Sequence, residues 1–301
     1  MVFETFFDAE DLSACVPAEE TARSLNERAR PLGCFFPLWL APDQALGEFF
    51  LTARAAPASF RYGSPAHNVL GLNWILPSGR RVRFGGRVVK NVAGFDLVRL
   101  CSASHGRLGR PEHLILRLRP LAEAERHARL SGPWDGLRAA ARTLRASSWS
   151  HVLDACDLAA SPEGASLHLS FRGKASLVPL FEAEAVRWAD AAGLKAEFPN
   201  EVPEPQAQPW GRAQTLADEA VPLARSWVSA HGGTVHAFLG QGVLQFQNPE
   251  RPDAAFQELR GLNARLGALG GHCEHDGLAA DPARPQARWE TELLRRWQEL
   301  P

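Results

Sequence analysis

The stretch Gly79–Pro120, GRRVRFGGRVVKNVAGFDLVRLCSASHGRLGRPEHLILRLRP, constrains the fold more than any other. Only here do glycines, small residues and single polar groups alternate so closely. The pattern predicts a strand over Arg80–Phe84, a glycine pair at Gly85 and Gly86, and a loop closing on Asn91-Val92-Ala93-Gly94. A short helix, a glycine-punctuated turn and a strand over His113–Arg119 follow. Gly94 lacks a β-carbon, so its backbone can take positive φ or approach a flat ligand closely. Asp96 precedes Leu97, Val98 and Leu100, where a carboxylate caps a helix's first turn. Ser102, Ala103, Ser104, Gly106 and Gly109 could lay backbone amides against a ligand, although a structural turn explains such a run as well.

Phe84-Gly85-Gly86, Lys90 to Leu97, Arg99-Leu100 and Gly106-x-Leu108-Gly109 together resemble the FAD-binding subunit of glycolate oxidase. That subunit belongs to the vanillyl-alcohol oxidase and p-cresol methylhydroxylase flavoprotein superfamily. The resemblance is strong over Val82–Gly109 and weaker through most of the chain. It implies FAD as cofactor, with Lys90, Asn91, Val92, Ala93, Gly94, Asp96, Ser104, Gly106 and Gly109 as binding residues and the backbone around Asn91–Gly94 and the turn Ser104–Gly109 facing the isoalloxazine side. Cys34-Phe35-Phe36-Pro37-Leu38-Trp39 and Ala45-Leu46-Gly47-Glu48 resemble the family region where a proline-containing loop leads to a glycine pair beside the FAD pyrophosphate. Here the second glycine is Glu48.

The fold class expected is α+β: a partial p-cresol methylhydroxylase-type FAD-binding domain over residues 1–122, then a ferredoxin-like cap domain over 123–301. The chain opens after the point where the family's amino-terminal phosphate-loop subdomain would lie, and the family's carboxy-terminal tail is not matched. The domain boundary rests on a shift to Ala, Glu and Arg after Pro120. Beyond it the periodicities predict strand His127–Ser131, helix Asp135–Ala146, strands Ser150–Cys156 and Ser166–Phe171, helix Ser176–Ala192 and strand Leu194–Phe198. This β-α-β-β-α-β order recurs after a proline-rich linker at residues 200–209, so two such halves, or one sheet built from both, are expected. Upstream, a helix over Ala18–Arg30 stopped by Gly33, a short helix over Phe49–Ala55 and a hairpin turning at Pro77-Ser78-Gly79 are predicted.

Composition narrows the function classes. The 301 residues carry 33 basic and 34 acidic side chains, a formal net charge of -1, so no global field favours nucleic acid. Five scattered cysteines without a Cys-x-x-Cys pair argue against a disulfide framework or an iron–sulfur site and for a reducing cytoplasm. No apolar run approaches a bilayer's thickness, so membrane contact is expected only through partners. Trp188 and Trp227 sit at helical spacing among apolar residues and read as core. His272 and His275 invite a metal reading, but they fall at a strand end with no second ligand motif, and no metal is assigned.

The resemblance implies a subunit of a heteromeric glycolate (2-hydroxy acid) oxidase or dehydrogenase, supporting a homologous FAD-bearing catalytic subunit beside an iron–sulfur subunit. Oxidising a 2-hydroxy acid needs a base at the hydroxyl and cations for the carboxylate. The ten histidines yield no such set; His67, His105 and His272 are only those nearest the flavin-facing loops. The alternative is a degenerate scaffold that has lost FAD. Glu48 favours it, since a carboxylate 4 to 6 Å from the pyrophosphate would cost on the order of a few kcal/mol at an effective dielectric near 20. A docking face near Phe35, Phe36 and Trp39 is expected on that reading.

Overall fold

Strands with one apolar and one mixed face, joined by short turns, organise the first part of the chain. The computed structural model describes residues 4–41, 43–52, 56–87, 96–201, 209–267 and 272–274. Contacts divide the chain into two units, the first holding residues 4–56 and 62–121 of those described, the second 57–61 and 122–274.

In the first unit the elements are β1 (Phe6–Asp8), β2 (Ser13–Pro17), α1 (Ala22–Ala29), β3 (Cys34–Phe35) and α2 (Leu46–Thr52). The short helix α3 (Ser59–Tyr62) begins in the segment assigned to the second unit. There follow α4 (Pro65–Asn68), β4 (Val69–Ile75), β5 (Arg81–Gly85), α5 (Leu97–Cys101), β6 (Arg110–Arg117) and β7 (Arg119–Pro120). Five strands form one antiparallel sheet in the order β1-β2-β6-β4-β5, while β3 pairs with β7. Ala14, Val16, Leu72, Trp74, Leu114 and Leu116 alternate along their strands, so all fall on one face and meet Leu25, Phe36, Leu46 and Phe50 in a single core. Thr21 caps α1, its side chain accepting from Ser24 N, and Gly33 at φ 76° turns the chain out of the helical region that follows. The β4–β5 hairpin closes at Gly79, whose amide donates to the Leu76 carbonyl over 2.8 Å.

Two sequence expectations are corrected here. The short helix begins at Leu46 rather than Phe49, because Leu46, Phe49 and Phe50 together supply the buried stripe. Of the expected docking residues, Phe35 and Phe36 are 7% and 2% exposed and pack the core, while Trp39 is half-buried.

The second unit contains β8 (Ala124–Ser131), α6 (Trp134–Ala146), β9 (Leu153–Ser161), β10 (Gly164–Gly173), α7 (Val178–Ala191) and β11 (Lys195–Glu197). It continues with β12 (Gly211–Gln214), α8 (Ala220–His231), β13 (Thr234–Phe238), β14 (Val243–Gln247), α9 (Pro252–Gly267) and β15 (His272–Glu274). Its eight strands make one antiparallel sheet in the order β11-β8-β10-β9-β13-β14-β12-β15. Numbered within each half, the strands run 4-1-3-2 and then 2-3-1-4, so the halves mirror one another and join through the β9–β13 pair. Leu130, Leu158, Leu169, Phe171, Val235, Leu244 and Phe246 share the core with helix residues Leu137, Phe181, Trp188, Trp227 and Leu259. Strand residues between them face the other way. Residues 57–61 are anchored in this unit by Arg61, whose Nη1 lies 2.9 Å from Oδ1 of the fully buried Asp154 and 3.2 Å from the Val152 carbonyl.

Candidate functional site

The predicted flavin-facing residues fall in two groups. Lys90, Asn91, Val92, Ala93 and Gly94 lie outside the described residues. Asp96, Ser104, Gly106 and Gly109 frame α5 and the turn after it. Asp96 caps α5: its Oδ1 accepts from Arg99 N over 3.1 Å, and its Oδ2 is 3.2 Å from Arg99 Nε. Both side chains are exposed, so the pair's value is local helix geometry rather than a buried charge. Burial pushes the Cys101 thiol at the end of α5 up to about 12, which keeps it a neutral, inert core group.

The turn over residues 102–109 holds four left-handed residues: Ala103 (φ 59°), His105 (φ 50°), Gly106 (φ 78°) and Gly109 (φ 115°). For Ala103 and His105 this backbone costs about 1–2 kcal/mol each. The compensation is visible. Ala103 N donates to the Phe50 carbonyl over 3.2 Å and His105 N to the Leu51 carbonyl over 3.0 Å, satisfying carbonyls in the last turn of α2. Ser104, Arg107 and Gly109 amides donate within the turn or to Cys101. The amide of the exposed Gly106 has no acceptor among the described residues.

Gly109 is required by packing. A Cβ there would overlap the Ile75 carbonyl oxygen and sit 2.7 Å from Trp74 Nε1. That indole, fully buried, donates to the Leu108 carbonyl over 2.9 Å and locks the turn onto β4. The lock had no signal in the sequence, since Trp74 and Leu108 are far apart along the chain. Gly71 and Gly85 let β4 and β5 run backbone against backbone, and Gly86 N donates to the Leu70 carbonyl over 3.2 Å.

Whether these residues fit FAD is testable on two features. Ser104 is 6% exposed and its hydroxyl has no hydrogen-bond partner among the described residues; a Cβ on Gly86 would enter open space. Both fit a polar, flat group. At the phosphate end the residues do not fit: Gly47 N donates to the Ala18 carbonyl over 2.8 Å, and a Cβ there would meet Ala18 and Pro111. Glu48 sits half-buried in the first turn of α2, where a carboxylate complements the helix dipole. Among the described residues no group of three His, Cys, Asp or Glu side chains could hold a metal ion.

No family model matches the chain. Among characterised proteins it is 34% identical over 114 residues to the mitochondrial D-lactate dehydrogenase [cytochrome] of Arabidopsis thaliana, covering 38% of this chain and 20% of that one. It is 44% identical over 62 residues to the glycolate oxidase subunit GlcE of Escherichia coli, covering 21% of this chain and 18% of that one. The chain thus matches about a fifth of the length of either relative. A solved alkyldihydroxyacetonephosphate synthase superposes with a TM-score of 0.66 at 12% identity, over 98% of this chain and 63% of that one, which shows a shared mixed helix-and-sheet fold. The resemblance to glycolate oxidase subunits is borne out by these relatives.

Proposed function

We infer that this chain, a relative of the glycolate oxidase and D-lactate dehydrogenase flavoproteins, is an FAD-binding-type subunit of a multi-subunit 2-hydroxy acid oxidoreductase. The observation that carries the reading is the 44% identity to a glycolate oxidase subunit. In this assembly it supports a homologous FAD-bearing catalytic subunit and an iron–sulfur subunit. Residues 1–122 form the FAD-binding-type domain and 123–301 a ferredoxin-like cap; the 4-1-3-2 order of each half supports the latter. No helix among the described residues is long and apolar enough to cross a membrane, and any membrane contact comes through partners at a cytoplasmic surface.

When bound, FAD supplies the acceptor for the two electrons of alcohol oxidation. The chain's own contribution is to the ring half of that site, from Lys90, Asn91, Val92, Ala93, Gly94, Asp96, Ser104, Gly106 and Gly109. Ser104 offers its unpartnered hydroxyl and Gly106 its free amide. A specific observation favours the second reading, a docking scaffold that has lost FAD: the amides of Ala103, Ser104, His105, Arg107 and Gly109, and that of Gly47, are already bonded to protein carbonyls.

The absorbance spectrum of the purified chain, alone and with co-expressed partners, separates the two. A flavin band near unit occupancy in the isolated chain, with sub-micromolar FAD affinity by titration calorimetry, excludes the scaffold. A colourless chain that still co-purifies with a flavin-bearing subunit excludes the cofactor site. A colourless monomer with no partner overturns both.

A further inference from the structure

The centre of the second unit shows how one half of its sheet joins another: β9 and β13 pair antiparallel, and α6 and α8 lie side by side over the joint, with Arg225 Nη1 3.5 Å from Asp135 Oδ1. The first half has a second edge, β11, which among the described residues pairs only with β8. Its three residues carry both signs of charge. Ala196 lies opposite Leu130 and packs on the core, so Lys195 and Glu197 point to the helix-free face. Glu197 accepts hydrogen bonds from Lys195, 2.7 Å from Nζ to Oε1, and from Arg129, and these hold its carboxyl down to about 2. It is therefore anionic at neutral pH. An edge strand bearing one sign of charge repels a second copy of itself, because like charges fall opposite one another. For β11 the reverse holds. Paired antiparallel with itself about Ala196, it sets Lys195 of each copy opposite Glu197 of the other, and each Glu197 then lies between Arg129 of its own chain and a lysine of the second.

The helix above this edge carries apolar surface. α7 packs over β8 and β11, with α6 against it. Of the six large apolar side chains exposed among the described residues, three lie on α7 or the turn leading into it: Leu177, Leu180 and Val186, at 39%, 52% and 40% exposure. Such a concentration on one helix marks an interaction surface rather than chance exposure. Phe181, Ala185 and Trp188 hold the core side of the helix, so Leu180 and Val186 lie on its two outer flanks. Continuing the sheet through β11 sets the α7 of a second chain beside this one, as α8 stands beside α6, and covers apolar surface that a solitary chain leaves in water.

We propose that two copies of this chain associate about a two-fold axis through Ala196, with β11 pairing antiparallel to β11 and α7 packing on α7, so that two eight-stranded sheets become one. The contact is isologous: each residue that Lys195 meets, Glu197, meets a lysine in return. Three strand residues and one helix from each copy make an interface at the small end of the range for specific pairs, so the dimer comes apart on dilution. The surface lies within the second unit alone and does not rest on the chain holding FAD.

Sedimentation velocity of the full chain over a dilution series tests the inference, and a monomer–dimer equilibrium is expected. Glu197→Lys sets lysine against lysine across the axis, and Lys195→Glu sets glutamate against glutamate. Each alone should weaken the dimer by about tenfold or more, since the two-fold axis doubles the change. An equimolar mixture of the two variants restores opposite charges in both pairs and should associate as the parent does, a recovery that a purely structural role for either residue does not give. Leu180→Gln/Val186→Gln, altered only at side chains exposed in the single chain, should weaken the dimer while leaving the melting midpoint unchanged, and carries the test if a charge variant fails to fold. A monomer at every concentration would overturn the proposal. So would a mass that grows without limit, the sign of β11 meeting the β15 edge head to tail. A dimer undiminished by the charge variants or by the Leu180 and Val186 pair, or a mixture no better than its components, would do the same. None of these outcomes bears on the flavin spectrum, so failure here leaves the flavoprotein reading standing.

Discussion

Replacing Gly109 by alanine separates a glycine kept for packing from one kept for its backbone angle, because Gly79 provides the control. Gly79 has φ 83° and nothing within 4 Å of a Cβ, so Gly79→Ala carries only the left-handed backbone cost, about 1–2 kcal/mol. Gly109, at φ 115°, carries that cost and a steric one: the new methyl overlaps the Ile75 carbonyl and crowds Trp74 Nε1 at 2.7 Å. Relieving that overlap moves β4 or the turn, which adds about 1–3 kcal/mol as overpacking. If the Trp74 indole then loses the Leu108 carbonyl, a buried donor is stranded at about 1–3 kcal/mol more. The total, about 3–8 kcal/mol, is a large share of a domain's usual 5–15 kcal/mol. Urea denaturation of both variants gives the difference in midpoint, and hydrogen exchange of the peptide covering Val69–Ile75 localises it. If Gly109→Ala is no less stable than Gly79→Ala, the packing account of the turn is wrong.

Removing the Arg61 guanidinium takes a cation from the fully buried Asp154, whose Oδ2 also lies 3.7 Å from Arg172 Nε, so Arg61→Leu should cost about 3 kcal/mol by urea melt, and less in an Asp154→Asn background. Ser104→Ala removes a buried hydroxyl that has no partner among the described residues; stability should change by under about 0.5 kcal/mol or rise, while FAD affinity falls if the hydroxyl is a ligand contact. For His168 the folded value near 4 lies below the unfolded 6.5, so the unfolded chain binds more protons between them. Stability should therefore fall as pH drops from about 6.5 to 4, by a few kcal/mol at most, and His168→Gln should flatten that slope in melts across the range.

What could be read along the chain is what is decided within a few residues. Pro77-Ser78-Gly79 turns a hairpin, Asp96 caps α5 three residues before the amide it accepts from, and Gly33 leaves the helical region through a left-handed angle. Alternating apolar residues mark which face of each strand is buried, because side-chain direction has a period of two. The flavoprotein resemblance was legible for a similar reason, being carried by one contiguous string. Other features are decided by residues far apart in the chain. The amides of residues 103 and 105 spend themselves on α2's carbonyls, Gly47 is held against Ala18, and Gly109 is needed by Trp74 and Ile75. Phe35 and Phe36 show the same limit: apolarity alone does not say whether a side chain faces a partner or its own core. The pairing of β9 with β13, which fuses two halves into one sheet and brings His236 to the row of Ser166 and Ala159, leaves no local trace either. Dihedral preference and capping act over three or four residues; register between distant strands is set by which buried faces fit together, and that is settled only when the whole unit packs.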